Sequence, residues 1–418
     1  MDIKIVQLLL LPPILVLLMA SCGGRNQSVD SSRDEQANIA SQADILSWDK
    51  IFETFPCVEN GRKQFSSTFF PVDLIRVILP MGKVSRQSGH VTPTDHLYVH
   101  RNAPVGEDNE YVLAPASGRI VKIERFNTDK LMDRDNKSSP MVPDYRLVLM
   151  HSCSLFTIFI HLGELSPDVA QIVGDIPLGG TWFSSKSTPI EIEAGDPIAK
   201  FGQLSLDWSV HDAETTLAGF VVLDHYAWEP WKIHTVDPFQ FYDEPLRSDL
   251  LSKVVREKNP REGKIDYDVE GTIVGNWFKD GTIDYSGGRS GKHGYWEGHL
   301  SIAYSYIDPS QVRIAVGFDT GINEEMDCRS CRGAYGVRAN LPDPVNVTSE
   351  TGLVKYELMS RKDTAMTDYV GREQLGATSL GTFLVQHLGD RTIRVEVIPG
   401  KSPDEIQDFS DDSIIYHR

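Results

Sequence analysis

The sequence lacks an excess of positive charge, and this limits the partners that the protein can have. Lys and Arg number 41 against 59 Asp and Glu, so the formal net charge of the 418 residues is -18. Nucleic-acid binding depends on clustered Lys and Arg that neutralise phosphates, so we expect no nucleic-acid partner. Hydrophobic residues at 40 % and charged residues at 24 % are typical of folded protein, and the length suits two or three domains.

Long apolar runs are also scarce. One run covers residues 5–19, but Pro12 and Pro13 interrupt it, and it is too short to span a membrane comfortably. Its position directly after the charged start, residues 1–4, is typical of a secretory signal. We therefore expect an exported protein.

The apolar run ends in Leu18-Met-Ala-Ser-Cys22. This ending resembles the signal of bacterial lipoproteins, in which an acylated cysteine becomes the mature N-terminus. The resemblance implies lipid on Cys22, attachment to a membrane surface without a spanning helix, and a location in the cell envelope. Met19 is an unusual residue at its position, so secretion without lipidation stays an alternative. We expect residues 1–22 to form the signal peptide. The polar residues 23–44 have too little apolar surface to fold, so we expect them to form a flexible tether.

Cysteine is scarce as well, with five residues in all. The four that remain beside Cys22 are Cys57, Cys153, Cys328 and Cys331. An even number in an exported protein suggests disulfides, although the sequence does not determine their pairing. The last two form a Cys-x-x-Cys pair, but the flanking residues 319–325 and 333–336 have the composition of loops. A loop clasp or two unpaired thiols is favoured over redox catalysis, and a zinc site would need a second pair.

Short apolar runs that alternate with polar residues and end at Gly or Pro predict an all-β protein. They group into a first domain over residues 45–245, built on an antiparallel sheet, a linker over residues 246–263, and a second domain over residues 264–418. The second domain has six or more sequential strand patterns, which favour a small barrel or sandwich, and a hairpin turn at Gly389-Asp390. Its Gly275-x-Trp277-Phe278 element faintly resembles lipocalin-like barrels. We interpret this domain as a binding or structural module, with a small apolar ligand as an option.

The strand candidates can be given by number. They are residues 72–80, 111–113, 119–124, 145–150, 155–161, 190–192, 197–202, 271–278, 298–306, 311–317, 352–359, 381–388 and 391–398. Residues 127–143 and 165–188 are predicted to be loops, and loops of this length often rim a binding groove.

Five elements of the first domain occur in a fixed order. They are His96-Leu-Tyr-Val-His100, Ala114-Pro-Ala-Ser-Gly118, Phe159-Ile-His161-Leu162, the turn Gly195-Asp-Pro-Ile with Gly202-Gln203, and Trp208-Ser-Val-His211. In this order they resemble the LytM-like, M23-type zinc peptidases of bacterial cell walls, whose fold is called the duplicated hybrid motif. The resemblance covers less than half of the chain. It implies an antiparallel β domain, a zinc ion and peptidoglycan as the partner.

The resemblance also implies roles for individual residues. His96, His100 and His211 would hold zinc, and His161 would move protons. Three positions depart from the family pattern: its ligand aspartate is His100, its motif glycine is Tyr98, and the first histidine of its closing motif is Ser209. Two functions therefore stay open. One is a zinc-dependent endopeptidase that cuts peptidoglycan cross-bridges, and the other is a catalytically inactive envelope protein that binds peptide, glycan or protein on the same scaffold.

Other polar and aromatic residues have alternative interpretations. Asp95 and His90 form a second arrangement, in which Asp95 orients His96 or itself binds the metal, but residues 92–95 also have the composition of a turn. His151 at a strand end is expected to have a structural role. The aromatic residues within 220–242 are favoured to pack in the core over stacking on sugars.

Overall fold

The computed structural model describes residues 63–85, 90–102, 110–126, 143–184, 190–202, 205–227, 229–282, 284–285, 297–322, 333–338, 342–362, 364 and 368–418. The expected signal peptide and tether, and the cysteines at 22, 57, 328 and 331, lie outside these residues, as does most of the predicted loop 127–143. Cys153 is disulfide-bonded. Within the described ranges, no helix has the length and apolar character needed to cross a membrane.

The first half of the described chain forms one antiparallel sheet. Its strands are β1 Ile75–Leu79, β2 Leu97–Arg101, β3 Tyr111–Leu113, β4 Gly118–Arg125, β5 Tyr145–Met150, β6 Leu155–Leu165, β7 Thr181–Phe183, β8 Ile190–Ile192, β9 Pro197–Phe201 and β10 Leu206–Asp212. The order across the sheet is β1-β2-β10-β6-β5-β4-β7, with β8 paired to β4 and β9 paired to β3 and β6. Neighbours in space are therefore often distant in sequence, which brings β2, β6 and β10 side by side.

Successive side chains along the strands point alternately to a core face and to a second face of the sheet. On β2, Leu97 and Val99 are fully buried in the main core, whereas Tyr98 belongs to a smaller cluster on the opposite side. On β10, Trp208 and Val210 enter the main core. Polar residues at the intervening positions of these strands therefore share the second face.

Three 3₁₀ segments after β10 cover this sheet. They are Leu223–Tyr226, Pro230–His234 and Pro238–Phe241. Phe220, Phe239 and Tyr242 are buried in the main core, and the ring centroids of Trp208 and Phe239 are 5.8 Å apart. The packing interpretation of this aromatic stretch therefore agrees with its burial.

The second half forms a closed barrel. Its strands are β11 Gly275–Lys279, β12 His299–Tyr304, β13 Val312–Val316, β14 Ala334–Val337, β15 Val354–Arg361, β16 Leu375–Gly389, β17 Thr392–Pro399 and β18 Ile414–His417. Each strand pairs with the next, and β18 pairs back to β11. The prediction of an all-β chain with an antiparallel sheet followed by a small barrel or sandwich is confirmed, and of these two alternatives the structure shows the barrel.

Short helices and a packed junction complete the fold. The helices are α1 Pro167–Val173, α2 Leu246–Leu251 and α3 Tyr369–Arg372. Residues 246–263, interpreted from sequence as a linker, begin with α2 and bury Leu250 and Val254 in the core of the sheet. Leu79 and Tyr98 of the sheet pack against Tyr306 and Ile307 of the barrel half. The sheet and the barrel therefore share a buried contact.

Two segments that were predicted to be loops contain regular secondary structure. Residues 165–188 were expected to be loop, but they contain α1, which Ser166 caps by accepting a hydrogen bond from the Val169 N–H, and β7, which pairs with β4. Residues 333–336 were also expected to be loop, but they belong largely to β14. A Cβ at Gly336 would lie 2.1 Å from the Leu375 side chain, so the small residue reflects a close approach within the barrel and not a turn.

Candidate functional site

The second face of the sheet carries a cluster of carboxylates and imidazoles where β2, β6 and β10 meet. Asp207 on β10 lies opposite Tyr98 of β2 on one side and opposite Ile160 of β6 on the other. His96 directly precedes β2, and His161 directly follows Ile160. This strand order brings both histidines to Asp207, although any two of the three residues are more than forty positions apart in the sequence.

The Asp207 carboxylate is the centre of the cluster. Its Oδ2 lies 3.3 Å from Nε2 of His96 and 3.6 Å from Nε2 of His161. Ser205 also donates its hydroxyl to the other oxygen, Oδ1, at 3.3 Å. One oxygen of one carboxylate therefore faces two imidazoles.

A second carboxylate lies behind each imidazole. Nδ1 of His96 is 3.0 Å from Oδ1 of Asp95, and Nδ1 of His161 is 3.1 Å from Oδ2 of Asp144. Each ring is therefore held between two carboxylates, with Nδ1 directed outward and Nε2 directed to Asp207. We call Asp95, His96, Asp144, His161 and Asp207 the carboxylate–imidazole cluster.

Burial and charge act in opposite directions on this cluster. Burial raises the pKa of Asp207 and outweighs the opposing effect of His96 and His161. Burial lowers the pKa of His161, but the hydrogen bond that its Nδ1 donates to Asp144 and the charge of Asp207 more than compensate, so the net shift is upward. The cluster therefore favours a proton on His161 and reduces the acidity of Asp207.

Two lysines, of which one is fully buried and the other partly buried, add positive charge beside the cluster. Lys232 is fully buried and donates to the Pro93 carbonyl at 2.6 Å. Burial alone would raise the pKa of Asp95, yet the Lys232 ammonium and His96 hold it well below its ordinary value. Lys83 lies 4.5 Å from the centroid of the Tyr98 ring, and burial lowers its pKa. Asp95 therefore stays ionised and accepts the hydrogen of His96 Nδ1.

His161 has an unusual backbone. Its φ is +65°, in the left-handed region that costs a non-glycine residue about 1 kcal/mol. Gly202, directly after the neighbouring strand β9, makes room for it, because a Cβ there would lie 2.1 Å from the His161 carbonyl oxygen. The side chain of His161 is 27 % exposed, against 8 % for His96 and 6 % for Asp207. Solvent therefore reaches the cluster at His161.

The structure brings together only part of the set that the resemblance implied. His96 and His161 meet, and Asp95 and His90 lie next to His96, with the His90 and His96 ring centroids 5.3 Å apart. His100 stacks instead on Tyr369 of α3, with centroids 5.1 Å apart and planes at 28°. Its ring makes no contact with the cluster among the contacts of the described residues.

His211 makes its hydrogen bonds elsewhere. Its Nδ1 donates to the Trp231 carbonyl at 2.9 Å, and burial lowers its pKa to about 4, so the ring is neutral. Nε2 is then the acceptor for the Ser209 hydroxyl at 2.9 Å. Both nitrogens of His211 have partners, and His151 is similar, with Nδ1 near the Ser117 carbonyl and Nε2 bonded to Thr157.

The sequence reasoning did not single out Asp207 and Asp144. A signal existed for Asp207, because on β10 it shares the period-two face of Ser209 and His211 and is a charged residue among apolar neighbours. For Asp144 no such signal is present, since it stands outside any strand pattern and reaches His161 only through the pairing of β5 with β6.

Among the residues that the structure describes, no three or more His, Cys, Asp or Glu side chains are already arranged around a metal position. Comparison of the chain with protein-family models and with curated proteins found no match. The function must therefore be argued from the motif order and the geometry of the cluster.

Proposed function

We propose that the protein is a lipid-anchored protein of the bacterial cell envelope whose first domain, similar to M23-type peptidases, binds peptide or glycan segments of peptidoglycan. One observation carries the proposal: His96 of the first motif element and His161 of the third meet at Asp207, the residue directly before the last element. The anchor is lipid on Cys22, which holds the domain at a membrane surface next to the wall.

The contacts of the expected zinc ligands favour binding over hydrolysis. His100 stacks on Tyr369, and both nitrogens of His211 are engaged by Trp231 and Ser209. The three-histidine set therefore does not fit a zinc ion. The same scaffold can still bind cell-wall segments without cutting them.

The cluster has the chemistry to recognise such segments. The partly exposed His161, whose pKa is raised by Asp144 and Asp207, would exchange one of these two carboxylates for a carboxylate or an amide carbonyl of a wall peptide. Asp207 accepts a hydrogen bond from an amide N–H or from a sugar hydroxyl. Peptides of the wall and its glycan both carry such groups.

Sedimentation with isolated cell walls tests this function. Full-length protein in detergent should sediment with the walls, and His161→Gln should weaken the binding by about 10-fold, since it removes a charged donor worth about 1.5 kcal/mol or more. His100→Gln is the matched control, because its ring lies against α3 and should leave binding unchanged. Absence of sedimentation, or equal losses in both variants, would contradict the proposal.

A zinc-dependent endopeptidase is the second candidate, and one observation favours it. Two imidazole nitrogens and a carboxylate oxygen converge at Asp207, and these are zinc-binding atom types. A zinc ion with an open position supplies a water that loses its proton near neutral pH. Release of soluble wall fragments by the protein with added zinc, and its loss with a chelator, would replace binding by hydrolysis as the function.

A further inference from the structure

We infer that the disulfide partner of Cys153 is Cys57, and that this bond ties the chain at the start of the first domain to the turn between β5 and β6. The sequence alone does not determine how the cysteines pair. The inference concerns a covalent modification far from the carboxylate–imidazole cluster, and the pairing is independent of what the first domain binds.

Cys153 lies in a turn that is fixed by several hydrogen bonds. The turn joins β5 to β6. The Ser152 hydroxyl accepts the backbone N–H of Leu155 at 3.1 Å, and the Ser154 carbonyl accepts that of Ala213 at 2.9 Å. Cys153 is partly buried in this turn and is disulfide-bonded. One sulfur of the bond therefore has a fixed place, and the partner must reach it.

The first described residues of the chain pass directly along this turn. The Phe65 ring lies 5.2 Å from the ring of His151, two positions before Cys153. Lys63 Nζ lies 2.8 Å from Oδ2 of Asp212, which pairs with the residue at the start of β6. The chain that enters the first domain therefore contacts residues on both sides of the turn.

Chain length places Cys57 within reach of the turn. Cys153 is the one cysteine among the residues that the structure describes, so its partner is at position 22, 57, 328 or 331. Cys57 stands six positions before Lys63, and six residues span at most about 20 Å when fully extended. A disulfide needs Cα atoms about 4.4–6.8 Å apart. Because Lys63 already contacts the strand next to the turn, six residues are enough to bring the two sulfurs together.

The other cysteines start from less favourable places. Positions 328 and 331 belong to the connection between β13 and β14 of the barrel, which leads to Ala334. Ala334 packs against the connection between β1 and β2, whereas the turn that carries Cys153 contacts Phe65 and Ser117 of the sheet half. Lipid on Cys22, as proposed above, occupies the sulfur of that residue. Cys57 is therefore the partner that the chain path favours.

Formation of the bond needs an oxidant, because two thiols lose two electrons and two protons when they form a disulfide. A small disulfide compound supplies the oxidation by exchange. The thiolate of one cysteine attacks a sulfur of this compound and releases one thiol, and the thiolate of the other cysteine then displaces the second thiol and completes the bond. The compound is thereby reduced to two thiols. Exported proteins meet such oxidising conditions.

The position of the bond has a consequence for the anchored protein. Leu155 and Ile160, which stands directly before His161, are separated by about 17 Å along β6, at about 3.3 Å per residue. The bond therefore ties the entering chain to the end of β6 that is remote from the cluster. Under the proposed function, the chain that leads to the lipid anchor leaves the domain at this remote end.

Peptide mapping of the full-length protein without reduction tests the pairing. The protein is exported to an oxidising compartment, its free thiols are blocked with N-ethylmaleimide, and the digest is analysed by mass spectrometry before and after reduction. We expect one cross-linked peptide pair that contains Cys57 and Cys153 and that separates on reduction. A cross-link from Cys153 to Cys328 or to Cys331, or N-ethylmaleimide on Cys57 of the unreduced protein, would overturn the inference.

Serine variants give a second readout. Cys57→Ser should free one thiol for titration, that of Cys153, and Cys153→Ser should free that of Cys57. Each should lower the thermal midpoint by about 5 °C or more, since the bond closes a loop of about 100 residues. The double variant should match the single variants, because all three lose the same bond.

Cys331→Ser is the matched control and should keep the cross-linked peptide pair of Cys57 and Cys153. Midpoint losses that add in the double variant, or no new thiol in either single variant, would count against the pairing. None of these results depends on binding to cell walls, so failure of the proposed function and failure of this inference are distinguishable.

Discussion

Buried histidines show how single residues of this protein respond to acid. His151 is 1 % exposed, and burial lowers its pKa to about 4, against an ordinary value of about 6.5. The folded state therefore holds the neutral ring. Its contribution to stability is complete above pH 6.5 and is lost as the pH falls from there towards 4, because the unfolded chain takes up the proton first.

His151→Gln tests this effect. Between pH 7 and pH 5 the wild type should lose about 2 kcal/mol of unfolding free energy through His151, and the variant should lose about 2 kcal/mol less than the wild type. Urea unfolding at both pH values measures the difference, and the other histidines cancel because both proteins contain them. Between pH 7 and pH 8 the two should change in parallel. Equal losses between pH 7 and pH 5 would show that His151 does not titrate in this way.

At the scale of elements, period-two patterns predicted most strands well. Residues 111–113, 145–150 and 190–192 were predicted with the bounds of β3, β5 and β8. The pattern works there because each strand has one face in the main core. It did not predict β14, whose four residues are all buried and include a glycine, so that no alternation remains to be detected.

The hairpin between β16 and β17 differs from its prediction by one residue. Gly389 pairs with Thr392, and the turn residues are Asp390 and Arg391, with φ of 44° and 55°. Two left-handed residues define the tight turn that matches the twist of a hairpin. Gly389, with φ of 92°, belongs to the irregularity that precedes the turn. Composition indicated a turn here, but its position depended on the pairing of the strands.

The geometry of this turn predicts that substitutions to Gly and to Val have opposite orders of stability at Asp390 and at Leu388. At Asp390 the left-handed backbone favours Gly over a β-branched residue, so Asp390→Gly should be more stable than Asp390→Val by about 2 kcal/mol. At Leu388, an exposed strand position two residues earlier, Val should be more stable than Gly because strands favour β-branched residues. Thermal unfolding of the four variants measures both differences. The same ranking at both positions would contradict the turn geometry.

For the whole molecule, the sequence predicted the two β units but only part of the site. Strand patterns are local, so they were visible in the chain. The cluster depends on the order β2-β10-β6, which joins Asp207 to His96 and His161 across long sequence separations. His100 and His211 have the right residue type for a ligand, yet their partners, Tyr369 and Trp231, come from segments that no local pattern connects to them.

The contact between sheet and barrel is also a property of the whole chain. Arg256, 2 % exposed, donates from Nη1 to the Tyr306 carbonyl at 2.9 Å and from Nε to the Lys258 carbonyl at 3.0 Å. It lies beside the apolar contact of Leu79 with Ile307. Because the two halves share buried surface and a buried cation, we expect calorimetry to show one cooperative unfolding transition.

Arg256→Met should test this coupling. The substitution keeps much of the side-chain volume but leaves carbonyl groups without their donor, so we expect a loss of about 3 kcal/mol and a lower midpoint for the entire transition. Arg338→Met is the matched control, since that guanidinium pairs with Glu357 at the surface and should leave the midpoint nearly unchanged. Two separate transitions in the wild type, with Arg256→Met shifting only one, would mean that the sheet and the barrel unfold independently.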